Sequence, residues 1–169
     1  GTGDMLYDHS GNANHAPIYG ATWSVDTTYV SDDNFEQALI DLGYDDALDG
    51  YVLTENISGV TSLDVRDKGI SDLTGIEDFK ALEELRCQDN ELTVLDISSN
   101  TALTRLYTYN NDLTALDVSA NTALTVLYCH LNQLTALDVS ANTALTYLAC
   151  NSNQITSMDV SNNTLLTTL

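Results

Sequence analysis

The chain has 169 residues and carries 25 acidic against 5 basic side chains, a formal charge of −20. That balance excludes a reader of phosphate backbones, which needs clustered Lys and Arg, and excludes an anionic membrane surface as a partner. No run approaches the roughly 20 apolar residues of a membrane span, and three cysteines cannot all pair with one another, so neither membrane insertion nor a disulfide scaffold is expected. The chain opens on Gly1 without a signal pattern and reads as a mature or excised piece of a longer product.

In chain order, residues 1–30 read as an extended leader or linker, rich in the Ser, Asn and Gly of loops. Within it, LYDHSGNANHAPIYGATWS resembles the opening stretch of laminin-G-like domains. The match rests on Asp8, Ser10, Gly11, Asn12, Asn14 and His15; Ala16 stands where that pattern has Gly. A fragment this short implies a remnant, a linker or the edge of a neighbouring module.

Residues 31–59 read as an N-terminal cap. Phe35, Ala38, Leu39 and Leu42 follow the spacing of one helix face, which predicts a helix over 33–42. Asp33 with Glu36 fits a capping box, and Gly43 fits the stop. A solenoid needs such a cap over its first coil. The stretch NFEQALIDLGYDDALDGYVL, followed by ISGVTSLDV and GISDLTGIEDF, resembles the caps of repeat proteins secreted by Bacteroidetes. The resemblance implies an extracellular or cell-surface setting, reached by type IX secretion. Asp45, Asp49 and Glu55 around Gly50 are the candidate calcium ligands, on a loose likeness to an EF-hand loop. Ala47 and Asn56 stand where two further carboxylates belong, so the plainer reading is an acidic turn. Calcium is the one cofactor left open.

From residue 60 the chain repeats. Units 82–102, 103–123, 124–144 and 145–165 align at a period of 21, a further unit starts at Leu166, and an earlier one, 60–81, is one residue longer. The shared pattern is L-x-x-L-x-C-x-x-N-x-L-x-x-L-D-V-S-x-N-T-A. It resembles the leucine-rich repeat. The expected fold is a leucine-rich-repeat solenoid, α/β in class but dominated by β. A parallel sheet forms its concave face, short extended segments (TALDVS) its convex face, and one cap helix precedes it. LTGIEDF in the first unit suits a helical turn. The C-terminal end is expected to be uncapped.

Each column has a physical role. Alternation turns the Leu and Cys of L-x-C inward. Asn90, Asn111, Asn132 and Asn153 form a buried ladder in the family, bonding turn backbone. Cys87, Cys129 and Cys150, with Thr108 between, read as inert core thiols. Asp96, Asp117, Asp138 and Asp159 suit turns closed with the following Ser98, Ser119, Ser140 and Ser161, rather than a row of cation sites. The three histidines lack metal-ligand spacing, and no hydrolase motif is present.

The outward strand positions differ from coil to coil. They hold the candidate binding residues Arg86, Arg105, Tyr107, Tyr109, Tyr128, His130 and Tyr147. Tyr and Arg are favoured anchors in interfaces, although aromatic residues also simply suit strands. The reading is a non-enzymatic binding or adhesion module for a protein or glycan. The alternative is a structural subunit of an extracellular assembly, associating through the open C-terminal edge.

Overall fold

The computed structural model describes residues 25–169, together with two short antiparallel strands, β1 (Met5–Leu6) and β2 (Ala16–Pro17). Asp8 through His15, which carry the laminin-G likeness, lie outside the described residues. The cap is built from β3 (Thr27–Tyr29), α1 (Asp33–Asp41), β4 (Tyr51–Leu53) and the short α2 (Thr54–Ile57), with β3 and β4 paired antiparallel. Strand β3 lies inside the stretch that composition reads as leader. Thr28 and Val30 turn inward and Tyr29 outward, a pattern too short to stand out in sequence.

Helix α1 starts one residue earlier than the capping pattern predicts. Asp32, not Asp33, is the N-cap, accepting from Asn34 N at 2.9 Å and Phe35 N at 3.0 Å. Its second oxygen accepts from Ser71 N, Ser71 Oγ and Asp72 N of the first coil. One carboxylate thus closes the helix and ties the cap to the solenoid. Burial works to raise its pKa, but these hydrogen bonds outweigh burial and hold it below the ordinary value. Glu36 is not part of a capping box. It is 1% exposed, and one of its oxygens accepts from the N–H groups of Asp49, Gly50 and Tyr51. The helix ends in a Schellman turn: Gly43, at φ +80°, donates to Ile40 O, and Tyr44 donates to Leu39 O.

The solenoid follows. Strands β5 (Ser62–Asp64), β6 (Glu84–Arg86), β7 (Arg105–Tyr107), β8 (Val126–Tyr128) and β9 (Tyr147–Ala149) form one parallel sheet in sequence order. Each step in register equals one repeat, so Leu63, Leu85, Leu106, Leu127 and Leu148 stack inward, all fully buried. The core is one continuous cluster from Val30 in the cap to Leu148. A coil of this length cannot bury its apolar face alone, and stacking supplies the missing wall. Residues Ile76–Asp78 form a 3-10 turn within LTGIEDF. Gly75 before it has φ +106°, and a Cβ there would stand 2.9 Å from Tyr29 O, so only glycine lets cap and coil approach.

The TALDVS runs do not form a second sheet. No strand pairing occurs there. Leu95, Leu116 and Leu137 point inward with Ile97, Val118 and Val139, while Asp96, Asp117, Asp138 and Asp159 accept from the backbone N–H two residues on at 2.8–3.0 Å. On this side the coils are joined by side chains. Asn121 Nδ2 donates to Asn100 O and Ile97 O, and Asn142 and Asn163 repeat the pattern one coil on. This second asparagine column recurs at the same period as the first and was visible in the repeat. Without its two-carbonyl geometry, nothing marked it as buried.

The cysteine column contains a test of packing. Thr108 is fully buried between Cys87 and Cys129, and its Oγ1 has no hydrogen-bond partner; the weakly polar Cys87 sulfur beside it is a poor acceptor. Thr108→Val, which exchanges the orphaned hydroxyl for a methyl, should stabilise the chain by about 1 kcal/mol. A urea midpoint at or below that of the wild type would contradict this account.

Candidate functional site

The parallel ladder runs on past the strands, from Val65 N to Arg86 O, Cys87 N to Tyr107 O, Thr108 N to Tyr128 O and Cys129 N to Ala149 O. It fixes three outward columns: Ser62, Glu84, Arg105, Val126, Tyr147; Asp64, Arg86, Tyr107, Tyr128, Ala149; and Arg66, Gln88, Tyr109, His130, Asn151. All seven candidate binding residues lie on this face. They divide into two zones, because charge occupies the first coils and aromatic side chains the later ones.

In the aromatic zone Tyr128 is sandwiched. Its ring stacks on Tyr107 at 5.1 Å and on Tyr147 at 4.6 Å. Tyr109 stacks on His130 at 4.6 Å, and both meet Tyr128 edge-on. The spacing between parallel strands, about 4.8 Å, matches the thickness of stacked rings. Identical register therefore stacks Tyr107 on Tyr128 and Tyr109 on His130, while Tyr147 leans in from the flanking column to cover the Tyr128 ring. The Tyr147 hydroxyl beside it, with some burial, pushes the Tyr128 phenol up to about 12.

In the charged zone one carboxylate organises two guanidinium groups. Glu84 is 8% exposed. Its Oε1 accepts from Arg86 Nε, and its Oε2 from Arg105 Nε at 2.7 Å. Burial works to raise the Glu84 pKa, but the two arginines overcome it and hold the carboxyl below its usual range. The guanidinium of Arg86 also lies 4.8 Å over the Tyr107 ring. It is thus fixed by a carboxylate at one edge and an aromatic face beneath. Gln88, outward by parity, is nevertheless 2% exposed, and its Oε1 has no partner. Strand parity alone does not reveal this burial.

The other sequence candidates are dispersed. Among the described residues no three His, Cys, Asp or Glu side chains come together to hold a metal ion, so Asp45, Asp49 and Glu55 are not gathered into a calcium site. Asp45 Oδ1 accepts from Asp46 N, and Asp49 Oδ1 from Tyr51 N. Burial and neighbouring carboxylates raise the Asp45 pKa, consistent with a crowded acidic turn. The three thiols are free; burial pushes Cys87 and Cys129 up to about 12 and raises Cys150, so they are poor nucleophiles. In the Asp column, hydrogen bonds from Ser98, Ser119, Ser140 and Ser161 lower each carboxyl below its ordinary value.

One feature escaped the sequence reading. Asp67, Asp89, Asn110, Leu131 and Ser152 all have φ between +53° and +59°, closing the turn after each strand. Four are small polar residues that tolerate this region; Leu131 is not, and it is 48% exposed beside His130.

Known proteins resemble this arrangement. A family model described as LVIVD repeat matches residues 87–110. Internalin J of Listeria monocytogenes serotype 4b (strain F2365) is 46% identical over 73 residues, 43% of this chain and 8% of that protein. The solved functional domain of InlJ from Listeria monocytogenes, described as including a cysteine ladder, superimposes with a TM-score of 0.79 at 42% identity, covering 85% of this chain and 33% of that one. Listeria monocytogenes internalins inlF (TM-score 0.66, 22% identity, 82% of this chain and 48% of that one) and inlC2 (0.60, 19%, 87% and 78%) share the fold. The chain therefore spans 8% of the curated relative and a third of the solved InlJ domain. The Bacteroidetes and laminin-G resemblances, and with them type IX secretion, find no support in these matches. The chain folds as a leucine-rich-repeat solenoid of the internalin-like type.

Proposed function

We propose that the chain is the recognition part of an extracellular or cell-surface adhesion protein and binds a protein ligand on the outward face of its sheet. One observation carries this reading. Inward Leu and Asn positions are nearly constant from coil to coil, whereas the outward positions change and gather four tyrosines, a histidine and two arginines on adjacent strands. The likeness to internalin J supports a binding rather than a catalytic role, and no described helix is long and apolar enough to cross a membrane.

The test is a triple substitution, Tyr107→Ser, Tyr109→Ser and Tyr128→Ser. All three side chains are only partly buried, so the fold should survive with an unchanged far-ultraviolet spectrum. Binding to an array of purified extracellular protein domains should fall by at least about tenfold, as expected when clustered aromatic anchors are removed. A glycan array probed in parallel tells the two ligand classes apart. Array binding that survives the triple substitution would sink the assignment to this face.

A further inference from the structure

The sheet face is charged opposite to the rest of the molecule. Three of the five cations of the chain, Arg66, Arg86 and Arg105, occupy its outward positions, against two carboxylates, Asp64 and Glu84. The local sum is +3 − 2 = +1 on a chain whose total is −20. The other two cations are paired elsewhere, Lys68 with Asp41 and Lys80 with Asp78.

Of the two central arginines, Arg105 turns both Nε and Nη2 onto Glu84 Oε2, while Arg86 is held ready. A buried carboxylate between two guanidinium groups is costly to desolvate and is poor evidence for stability alone. Glu84 engages Arg86 through Nε only, and the described residues give the two terminal nitrogens of Arg86 no hydrogen-bond partner. With one face over Tyr107, its remaining N–H groups form an open fork. A planar guanidinium fork is matched by a carboxylate, which it binds through two parallel charge-assisted hydrogen bonds. Tyr107 lies under that guanidinium, and Tyr128 stacks on Tyr107 beyond it.

We propose that this face recognises an acidic peptide segment of a partner protein, with an Asp or Glu carboxylate on the open fork of Arg86, the charge of Arg105 beside it, and the adjoining apolar side chain across the tyrosines. The proposal rests on the reading of the face as the binding surface and supplies its ligand class. A peptide fits better than a sugar. Sugar rings pack their C–H faces on open aromatic faces, and here Tyr128 is covered on both sides and Tyr107 lies between Arg86 and Tyr128. A peptide offers its side-chain edges and backbone groups to hydroxyls instead.

The probes are three blocked peptides, acetyl-Phe-Glu-Phe-amide and its Gln and Lys counterparts, with 3′-sialyllactose as an anionic glycan. Each is titrated into the full chain and followed by nuclear magnetic resonance at the arginine Nε–H and tyrosine ring signals. The Glu peptide should move the Arg86 and Tyr128 signals and bind about tenfold tighter than the Gln peptide, as a charge-assisted pair implies. Arg86→Gln should erase that difference, and Arg105→Gln serves if the first variant does not fold. Equal binding of Glu and Gln peptides, or tighter binding of the Lys peptide at the same signals, would overturn the acidic-ligand assignment while leaving the face as a binding surface. Shifts with sialyllactose but not with the Glu peptide would overturn it in favour of a glycan. Signals moving only on the far side of the coils would remove both the assignment and the reading beneath it.

Discussion

Asn132→Ala should lower the free energy of unfolding by about 3 kcal/mol. Asn132 is 8% exposed and works in both directions. Its Nδ2 donates to Thr108 O at 3.0 Å and Cys129 O at 3.1 Å, and its Oδ1 accepts from Leu113 N at 3.0 Å. Both carbonyls keep a second donor, from Asn111 and Asn153 respectively. The Leu113 N–H keeps none and would be left buried and unpaired, which is the costly part. Because the ladder passes from coil to coil, the loss falls on an interface between coils rather than on one loop. Asn162→Ala is the control. Asn162 is exposed, and its single bond to Ser140 O is 3.4 Å long, so its removal should cost under about 0.5 kcal/mol. Urea unfolding of the two variants decides the matter. Equal midpoints would mean that the buried ladder contributes nothing beyond an exposed amide.

Phe79→Ala should cost about 3–5 kcal/mol, the range for deleting a fully buried aromatic ring. Phe79 is 0% exposed and meets Phe35 of α1 with ring centroids 6.4 Å apart. The pair joins the cap helix to the first coil through two fully buried rings. Most polar links across that joint are exposed, namely Asp32 to Ser71, Ser31 to Asp72, Asn34 to Gly69 O and Lys68 to Asp41, with Thr28 to Asp78 part-buried. Exposed pairs of this kind contribute little once the ring is gone. The loss should therefore be uneven along the chain. Hydrogen exchange should show cap amides, such as Val52 N–H, opening at lower free energy than Leu127 N–H in the middle of the sheet. If both opened together, the cap and coils would be one cooperative unit and the joint would have no separate identity.

The solenoid was legible because its signal is repeated. Leu85, Leu106, Leu127 and Leu148 each mark the same inward position, and one correct assignment settles all four. The cap occurs once and was harder. Asp32 and Asp33 are equally good N-cap residues, and the choice falls to Asp32 because Ser71 and Asp72, nearly forty residues on, offer it three donors. Glu36 was free to leave the helix end for the loop at 49–51 for the same reason. Long-range partners of this kind leave no local trace. On the sheet face, the outward residues were correctly grouped by parity, but their interactions were not foreseeable. The sharing of Glu84 by two arginines and the burial of Gln88 depend on how side chains lean across strands, not on which way each Cβ points.

The equal length of the coils has a consequence for how such a surface changes. Each coil hands its neighbour the same set of carbonyls, N–H groups and inward leucines. A gene that gained or lost one whole coil by recombination would therefore rejoin two matching halves. Loss of residues 103–123 would bring Arg86 beside Tyr128 in the central column, and Glu84 beside Val126 in the column flanking it. The core would see no difference, while the outer face would present a new sentence written in the same alphabet. Ligand preference in a protein of this build can thus shift in whole-coil jumps, with far less risk to folding than a comparable change would carry in a globular domain.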